Sequence, residues 1–290
     1  MLQELKIVAV LTCFNRKEKT LKCINSLKNQ IEIQHKKVNL DIVICDDGST
    51  DGTQRTINLK HPDVKFVQGT GDLFWARGMA YAMKAAEQYK PDFYLMINDD
   101  VEFEANMLET MLRSYESTKQ GMCAVVGSTR DKYTGELTYG GAWWNGKVIK
   151  EETTMIQPTY PCQECNLSNW NCFLIPYSLY KEVGPIDSYY EHSRADYDYS
   201  LRIIKEGYKV YVASNFIGYC SRNSTKNTWQ DTSIPILQRV KALHHRTGMP
   251  VKSSWHYYKK FYGIGSIYKL IWPYFYILKT SLPSTRKSIK

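Results

Sequence analysis

The sequence predicts an α/β protein built on a mainly parallel central sheet flanked by helices. Three observations predict it. Buried-strand text alternates with helical text through residues 5–130. Strand candidates run out into polar or acidic residues, as segments leaving the carboxyl edge of a parallel sheet do. The composition, 43% hydrophobic and 23% charged over 290 residues, is that of a globular chain long enough to bury a large core.

Each element follows from its own text. Lys6–Thr12 (KIVAVLT) is a short apolar run ending in polar residues, which predicts the first strand. Leu21, Ile24 and Leu27 then recur at helical spacing. Leu40–Cys45 (LDIVIC) predicts the second strand and Val64–Val67 the third. Trp75–Tyr89 predicts a helix with Met79, Ala82, Met83 and Ala86 on one face, stopped by Pro91. Asp92–Ile97 predicts the fourth strand, Asn106–Tyr115 a helix and Cys123–Gly127 a fifth strand. Between Thr129 and Pro161 the glycines 140, 141 and 146 around Trp143 and Trp144 predict hairpins or a mobile loop. Asn171–Ile175 predicts a strand, followed by a short helix to Val183. Asp198–Glu206 predicts a helix and Lys209–Val212 a strand.

Charge divides the chain. The net charge is +9, yet the last acidic residue is Asp231. Residues 232–290 carry eleven Lys or Arg, so they hold +11 and residues 1–231 hold −2. This predicts a main domain over 1–231, in two halves of about 1–128 and 129–231, with a basic helical extension over 232–290. A basic tail points to a surface contact made by the tail rather than to a nucleic-acid-binding domain. Residues 251–290 also hold ten of the 38 aromatics. Lys269, Pro273 and Lys279 break the apolar stretch, which makes it a poor membrane span and a better interfacial segment on anionic lipid. The other reading is a helical tail packed on the domain. Mean hydropathy is −0.43 and the longest early apolar run, Ile7–Leu11, is shorter than a signal-peptide core, so the expectation is cytoplasmic, unexported protein at the inner membrane face. Eight cysteines without an export signal are expected to be reduced.

Four motifs carry chemistry. Asp46-Asp47-Gly48-Ser49-Thr50-Asp51-Gly52-Thr53 follows a buried strand. A carboxylate there accepts from a pyrimidine N3–H or a ribose hydroxyl; a plain strand–turn–helix link, with Ser49 or Asp51 capping the helix, is the competing reading. Asn98-Asp99-Asp100 places two adjacent carboxylates at a strand end, where they repel unless a cation or donors intervene. Hard oxygen donors suit Mg²⁺ or Mn²⁺. In Gly69–Met79 (GTGDLFWARGM), the glycines allow close backbone approach and Arg77 suits a diphosphate. Asp196-Tyr197-Asp198 precedes helical text. Asp198 is explained by the helix dipole, and Asp196 is the candidate general base. The first strand is not followed by G-x-G-x-x-G, which disfavours a nicotinamide dinucleotide. Cys162-x-x-Cys165 lacks the second pair that a structural zinc needs. Trp143, Trp144 and Trp170 are equally sugar platforms or core.

Taken in order, VAVLTCFNR (Val8–Arg16), DDGSTDGT, GDLFWARGM, NDDV, VGPID (Val183–Asp187) and ADYDYSLR (Ala195–Arg202) resemble the family 2 glycosyltransferases of the GT-A fold, in the branch that builds bacterial surface polysaccharides, including rhamnosyltransferase-like members. The resemblance spans residues 5–220. It implies that Thr12, Asp46 and Asp47 hold the base and ribose, Arg77 faces the diphosphate, Asp99 binds ribose or sugar, and Asp100 ligates a divalent Mn²⁺ or Mg²⁺. Asp196 takes the place of the catalytic carboxylate. It also implies an inverting transfer from a nucleotide-diphosphate sugar, UDP- or dTDP-linked, to a lipid-linked glycan at the membrane. Two positions depart from the pattern. Ala195 stands where a Glu often precedes the catalytic Asp, and Cys220 stands where many members have a metal-binding His. A nucleotidyltransferase, expected to show a glycine-rich basic loop near the N-terminus, and an inactive carbohydrate-binding or scaffold protein are the rival expectations.

Overall fold

The structure is a computed structural model that describes residues 4–282. Its elements, in chain order, begin with strand β1 (Leu5–Cys13), helices α1 (Lys17–Lys28) and α2 (Ile31–Gln34), β2 (Val38–Asp46), α3 (Thr53–Lys60), β3 (Lys65–Gln68), α4 (Phe74–Ala86) and β4 (Phe93–Ile97). There follow β5 (Glu102–Phe103), α5 (Met107–Ser117), β6 (Cys123–Arg130), and the short strands β7 (Leu137–Tyr139), β8 (Gly141–Trp144), β9 (Thr153–Met155), β10 (Glu164–Cys165) and β11 (Leu167–Ser168). The chain continues with β12 (Cys172–Pro176), α6 (Tyr177–Val183), α7 (Ala195–Lys205) and β13 (Lys209–Tyr219), then α8 (Ile236–His244), α9 (Val251–Phe261) and α10 (Ser266–Ser281).

The main sheet runs β10-β13-β6-β12-β4-β1-β2-β3. β3, β2, β1 and β4 are mutually parallel, as their unbroken apolar runs require, because a parallel strand is covered on both faces. Ile7–Leu11 at the centre are wholly buried. β6 and β13 are also parallel to each other. β12 runs against both of its neighbours, β4 and β6, so the sheet is mixed at its middle. That reversal places the start of β12, Cys172, beside the end of β4, Ile97. The segment before β12 therefore lies at the same edge as the acidic turn after β4.

Helix α1 buries Leu21, Ile24 and Leu27 against the sheet. Helix α4 buries small residues, and one of them is obligatory: a Cβ on Gly78 would lie 2.3 Å from the Thr12 hydroxyl oxygen. Only glycine lets α4 sit this close to the end of β1. All eight cysteines are free thiols.

The chain divides into two compact units. One holds the sheet and its helices up to Arg222, apart from Asn145–Glu152. The other holds Asn145–Glu152 and the chain from Asn223 onward. In this second unit the buried Arg239 guanidinium donates to the carbonyls of Trp229 (2.9 Å) and Ile277 (3.3 Å) and to the hydroxyls of Thr280 (2.9 Å) and Ser281 (2.7 Å). It thereby satisfies carbonyl and hydroxyl groups in the last turn of α10. Lys269 and Tyr262 both meet the Glu151 carboxylate. The opposite side of α10 is apolar and open: Ile267, Ile271, Phe275 and Leu278 recur at helical spacing, each 43–60% exposed, with Tyr268 and Trp272 between them. Among the described residues no helix is long and apolar enough to cross a membrane. Residues 283–290 of the predicted extension lie outside the described ones.

Candidate active site

The site is the carboxyl edge of β1, β2 and β4, and it is assembled by side chains that join the turns to one another. Asp46 ends β2 and accepts the Ser49 amide at 2.8 Å, which shapes the turn. Ser49 in turn accepts from the Asn15 amide (2.9 Å), and the Asn15 side-chain oxygen accepts from the Thr50 amide (2.7 Å). Asp51 accepts the amides of Lys17 (2.9 Å) and Thr53 (3.0 Å), so it caps the entries of both α1 and α3. The turns after β1 and β2 are thus one stitched unit.

Asp47 has a specific structural partner set. One of its oxygens accepts the Gly71 amide (2.8 Å), and the other accepts the amides of Leu73 (2.9 Å) and Phe74 (3.0 Å). The Leu73 and Phe74 N–H groups open α4, where a carboxylate is favoured by the helix dipole. Phe74 has φ +58°, a left-handed value for a bulky residue, held at the point where Asp47 grips the chain. Gly48 and Gly71 approach so closely that a Cβ on Gly48 would lie 3.1 Å from the Gly71 Cα.

Helix α4 then reaches across the edge. The Trp75 indole N–H donates to the Asn98 side-chain oxygen at 2.8 Å, and the Asn98 amide faces the Asn171 oxygen at 3.2 Å. Trp75 also meets Trp170 edge-on at 5.9 Å. Arg77 donates to the Ser188 carbonyl (3.2 Å) and lies 3.5 Å from Glu191. The expected diphosphate-facing arginine is therefore engaged with the segment leading into α7.

The acid pair has a cation beside it. Arg16 forks across both carboxylates, Nη1 to Asp99 at 2.9 Å and Nη2 to Asp100 at 2.5 Å. The Thr20 hydroxyl is 3.0 Å from the other Asp99 oxygen. Burial pushes the Asp99 carboxyl up to about 6, although Arg16 pulls the other way. Nothing in the sequence spacing announces Arg16, whose partners are 83 and 84 residues away. The Cys220 thiol is buried near Asp100 and pushed up to about 12, first by that burial and then by the neighbouring carboxylate. A thiol held protonated is a poor metal ligand.

Asp196 lies in the first turn of α7, which begins three residues earlier than its text predicts. Its oxygens face the Tyr197 amide (2.9 Å) and, more distantly, the Asn169 side-chain amide (3.5 Å). Asn169 is two residues from Asn171, the partner of Asn98, in the segment that leads into β12. Burial raises the Asp196 carboxyl to about 6. Asp198 is wholly buried, paired with Arg202 (3.0 Å) and the Tyr190 hydroxyl (2.9 Å). Its role is structural, and Arg202 carries that role on to the carbonyls of Val183 and Pro185.

The remaining expected residues fall differently. Thr12 is buried against α4 and donates to the Cys45 carbonyl (3.0 Å). Trp170 is a core residue, packed with Phe173 and Tyr199. Trp144 is buried as well, which leaves Trp143, about half exposed, as the open tryptophan of the three. Among the described residues no three His, Cys, Asp or Glu side chains converge closely enough to hold a metal by themselves. A divalent ion at Asp100 would therefore need ligand or water oxygens to complete its shell. The hard carboxylate donors, and a pair of charges that already draws in a cation, fit such an ion.

Comparison with known proteins gives the family and the fold. The family model described as Glycosyl transferase family 2 matches residues 8–166, more than half of the chain. The chain is 21% identical over 246 residues to a dolichyl N-acetyl-α-D-glucosaminyl phosphate 3-β-D-2,3-diacetamido-2,3-dideoxy-β-D-glucuronosyltransferase of Methanococcus voltae, covering 78% of this chain and 70% of that protein. Among solved structures it is similar to the mannosyltransferase PcManGT of Pyrobaculum calidifontis in complex with GDP-Man and Mn²⁺ (TM-score 0.51, 15% identity, 96% of this chain and 74% of that one). It is also similar to GalNAc-T7 with UDP, GalNAc and Mn²⁺ (TM-score 0.60, 14% identity, 76% of this chain and 44% of that one).

Proposed function

This chain belongs to glycosyl transferase family 2 and has the GT-A fold, and from that premise we propose that it moves a sugar, with inversion, from a nucleotide diphosphate to a hydroxyl of a lipid-linked glycan. The observation that carries the reading is the placement of Asp196. A carboxylate raised to about 6 by burial faces Asn169 in the segment that leads into β12, and two residues on in that segment Asn171 meets Asn98, the residue before the Asp99–Asp100 pair. A base with that value is ionised at neutral pH and still basic enough to accept a proton in the transition state.

The chain's own residues divide the work. Asp196 takes the proton of the acceptor hydroxyl as that oxygen forms its bond to the anomeric carbon. The bond to the diphosphate breaks on the opposite face, and its electron pair leaves with the nucleotide. One carboxylate suffices, because a diphosphate needs no proton to depart, unlike the leaving group of a glycosidase. Asp46, beside the turn it shapes, and Asp99 are the carboxylates offered to ribose or sugar hydroxyls. Asp47 acts through α4, which it anchors and which carries Trp75 to Asn98. Asp100 is the residue that would hold Mn²⁺ or Mg²⁺; when bound, the ion offsets charge on the departing diphosphate. The relatives bind GDP-Man or UDP with Mn²⁺, which supports both the donor class and the ion.

The acceptor reading rests on the M. voltae relative, whose name specifies a dolichyl-phosphate-linked sugar, and on the second unit. That unit pairs a basic sequence with an exposed apolar face on α10, as interfacial helices on anionic lipid do. Docking there keeps the chain at the surface where a lipid-linked acceptor lies, which supports a peripheral position at the inner membrane face.

A thermal-shift titration with UDP, dTDP and GDP, each with and without Mn²⁺, tests the donor side. We expect UDP or dTDP to raise the melting temperature, and more so with Mn²⁺. No response to any nucleotide diphosphate under either condition would overturn the proposal.

A further inference from the structure

We propose that Arg16 is the resident counter-ion of the Asp99–Asp100 pair in the donor-free enzyme, and that its guanidinium and a divalent ion exclude each other at Asp100. The inference rests on the reading of Asp100 as the ion-holding residue.

The geometry makes the two acids unequal. Asp99 is buried, with one oxygen on Arg16 and the other facing the Thr20 hydroxyl. Asp100 is more open, with its side chain 16% exposed, and the Arg16 side chain that reaches it is 37% exposed. The Arg16 backbone is fixed: its carbonyl accepts the Thr20 amide at 2.9 Å and starts α1. Its long side chain is not so constrained, and it can swing off Asp100 without disturbing the helix.

Charge then decides which cation stays. With Arg16 in place the trio carries a net −1, and the only carboxylate accessible to an ion is already neutralised. A divalent cation arriving beside a guanidinium is repelled by it and deprived of its best ligand. Removing the guanidinium from Asp100 relieves both costs. A nucleotide diphosphate favours that release, because its phosphate oxygens match the guanidinium fork as well as a carboxylate does. Released from Asp100, Arg16 keeps Asp99 on one nitrogen, and its other nitrogen regains an anionic partner only when the donor is present. Ion and donor would bind cooperatively through this one side chain, each strengthening the other to the same degree. The device keeps the acid pair neutralised and the ion weakly held until a donor arrives.

Mn²⁺ binding, followed by the electron paramagnetic resonance of free Mn²⁺ in the full chain, tests this without any turnover. Arg16→Gln should bind Mn²⁺ alone roughly tenfold or more tightly than the unsubstituted protein, a size set by loss of one nearby unit charge. Adding UDP should tighten Mn²⁺ binding in the unsubstituted protein and much less in Arg16→Gln. Arg16→Lys keeps the charge but loses the two-pronged fit, so it should fold normally and bind Mn²⁺ a few-fold more tightly. Asp100→Asn should bind poorly whatever stands at position 16. Equal or weaker Mn²⁺ affinity in both Arg16 variants overturns the exclusion while leaving Asp100 as ion holder. No Mn²⁺ uptake by the unsubstituted protein, even with UDP, overturns that reading too.

Discussion

The indole N–H of Trp75 donates to the side-chain oxygen of Asn98 at 2.8 Å, and this bond joins helix α4 to the residue that precedes the acid pair. Trp75→Phe keeps an aromatic side chain, smaller than the indole, and removes the donor. We expect a stability loss of at least about 1 kcal/mol in urea unfolding, the usual value for one such hydrogen bond, with the lost ring volume adding to it. If the bond also positions the site, kcat/KM falls at least several-fold. Unchanged kinetics would reduce Trp75 to a packing residue.

Asp47 separates two roles cleanly. Its carboxylate accepts three amides, two of them at the start of α4 and one in the loop just before it, so Asp47→Ala should cost about 2–4 kcal/mol and lower the melting temperature sharply. Donor affinity should fall with the loss of α4 order. A variant that keeps full stability but loses UDP binding in calorimetry would assign Asp47 to the nucleotide directly.

Asp196 predicts a pH profile. A base works ionised, so kcat/KM should rise about tenfold per pH unit below about 6 and level off above it. Asp196→Asn should abolish transfer while leaving UDP binding nearly intact. The stability effect has the opposite sense. The folded state holds this proton more tightly than the unfolded chain does, so the favourable contribution is complete below about pH 4 and is lost as pH rises through about 6. Asp196→Asn should therefore melt a few degrees higher than the parent at pH 8 and show no gain at pH 4. Thermal melts at the two pH values check the sign.

The α10 face predicts a membrane contact. Replacing Ile271, Trp272, Phe275 and Leu278 together with Ser should cut co-sedimentation with phosphatidylglycerol vesicles at least tenfold. Burying even two such side chains accounts for more than that factor. The thermal response of the protein to UDP should not change. High salt should weaken the parent's binding only in part, because the apolar term is not screened. Vesicle binding that survives the fourfold substitution would move the contact elsewhere on the chain.

Much of the fold was legible because a parallel strand buried on both faces has to be written as an uninterrupted apolar run. Lys6–Thr12, Leu40–Cys45 and Asp92–Ile97 each lie within about two residues of the observed β1, β2 and β4. The acids at the strand ends were legible for the same reason: a charge directly after such a run has to sit at the sheet edge. Other features were not. Helix α7 starts at Ala195, behind an Arg194 in the left-handed region rather than a capping side chain, so its text begins to look helical only at Asp198. Trp170 and Trp143 read alike in sequence, and only their positions make one core and the other open.

By itself, then, the order of residues determined the main buried strands, the carboxyl-edge acids, the family pattern and the basic, aromatic character of the C-terminal segment. All of these depend on local composition and spacing. Tertiary structure alone decided which acids are neighbours and what neutralises them. Asp47 grips α4, Arg77 turns to Glu191, and Arg16 bridges Asp99 and Asp100. Those partners come from strand order. β1 lies between β2 and β4, and it brings together turns that are 30 to 90 residues apart in a chain that carries no local record of the pairing.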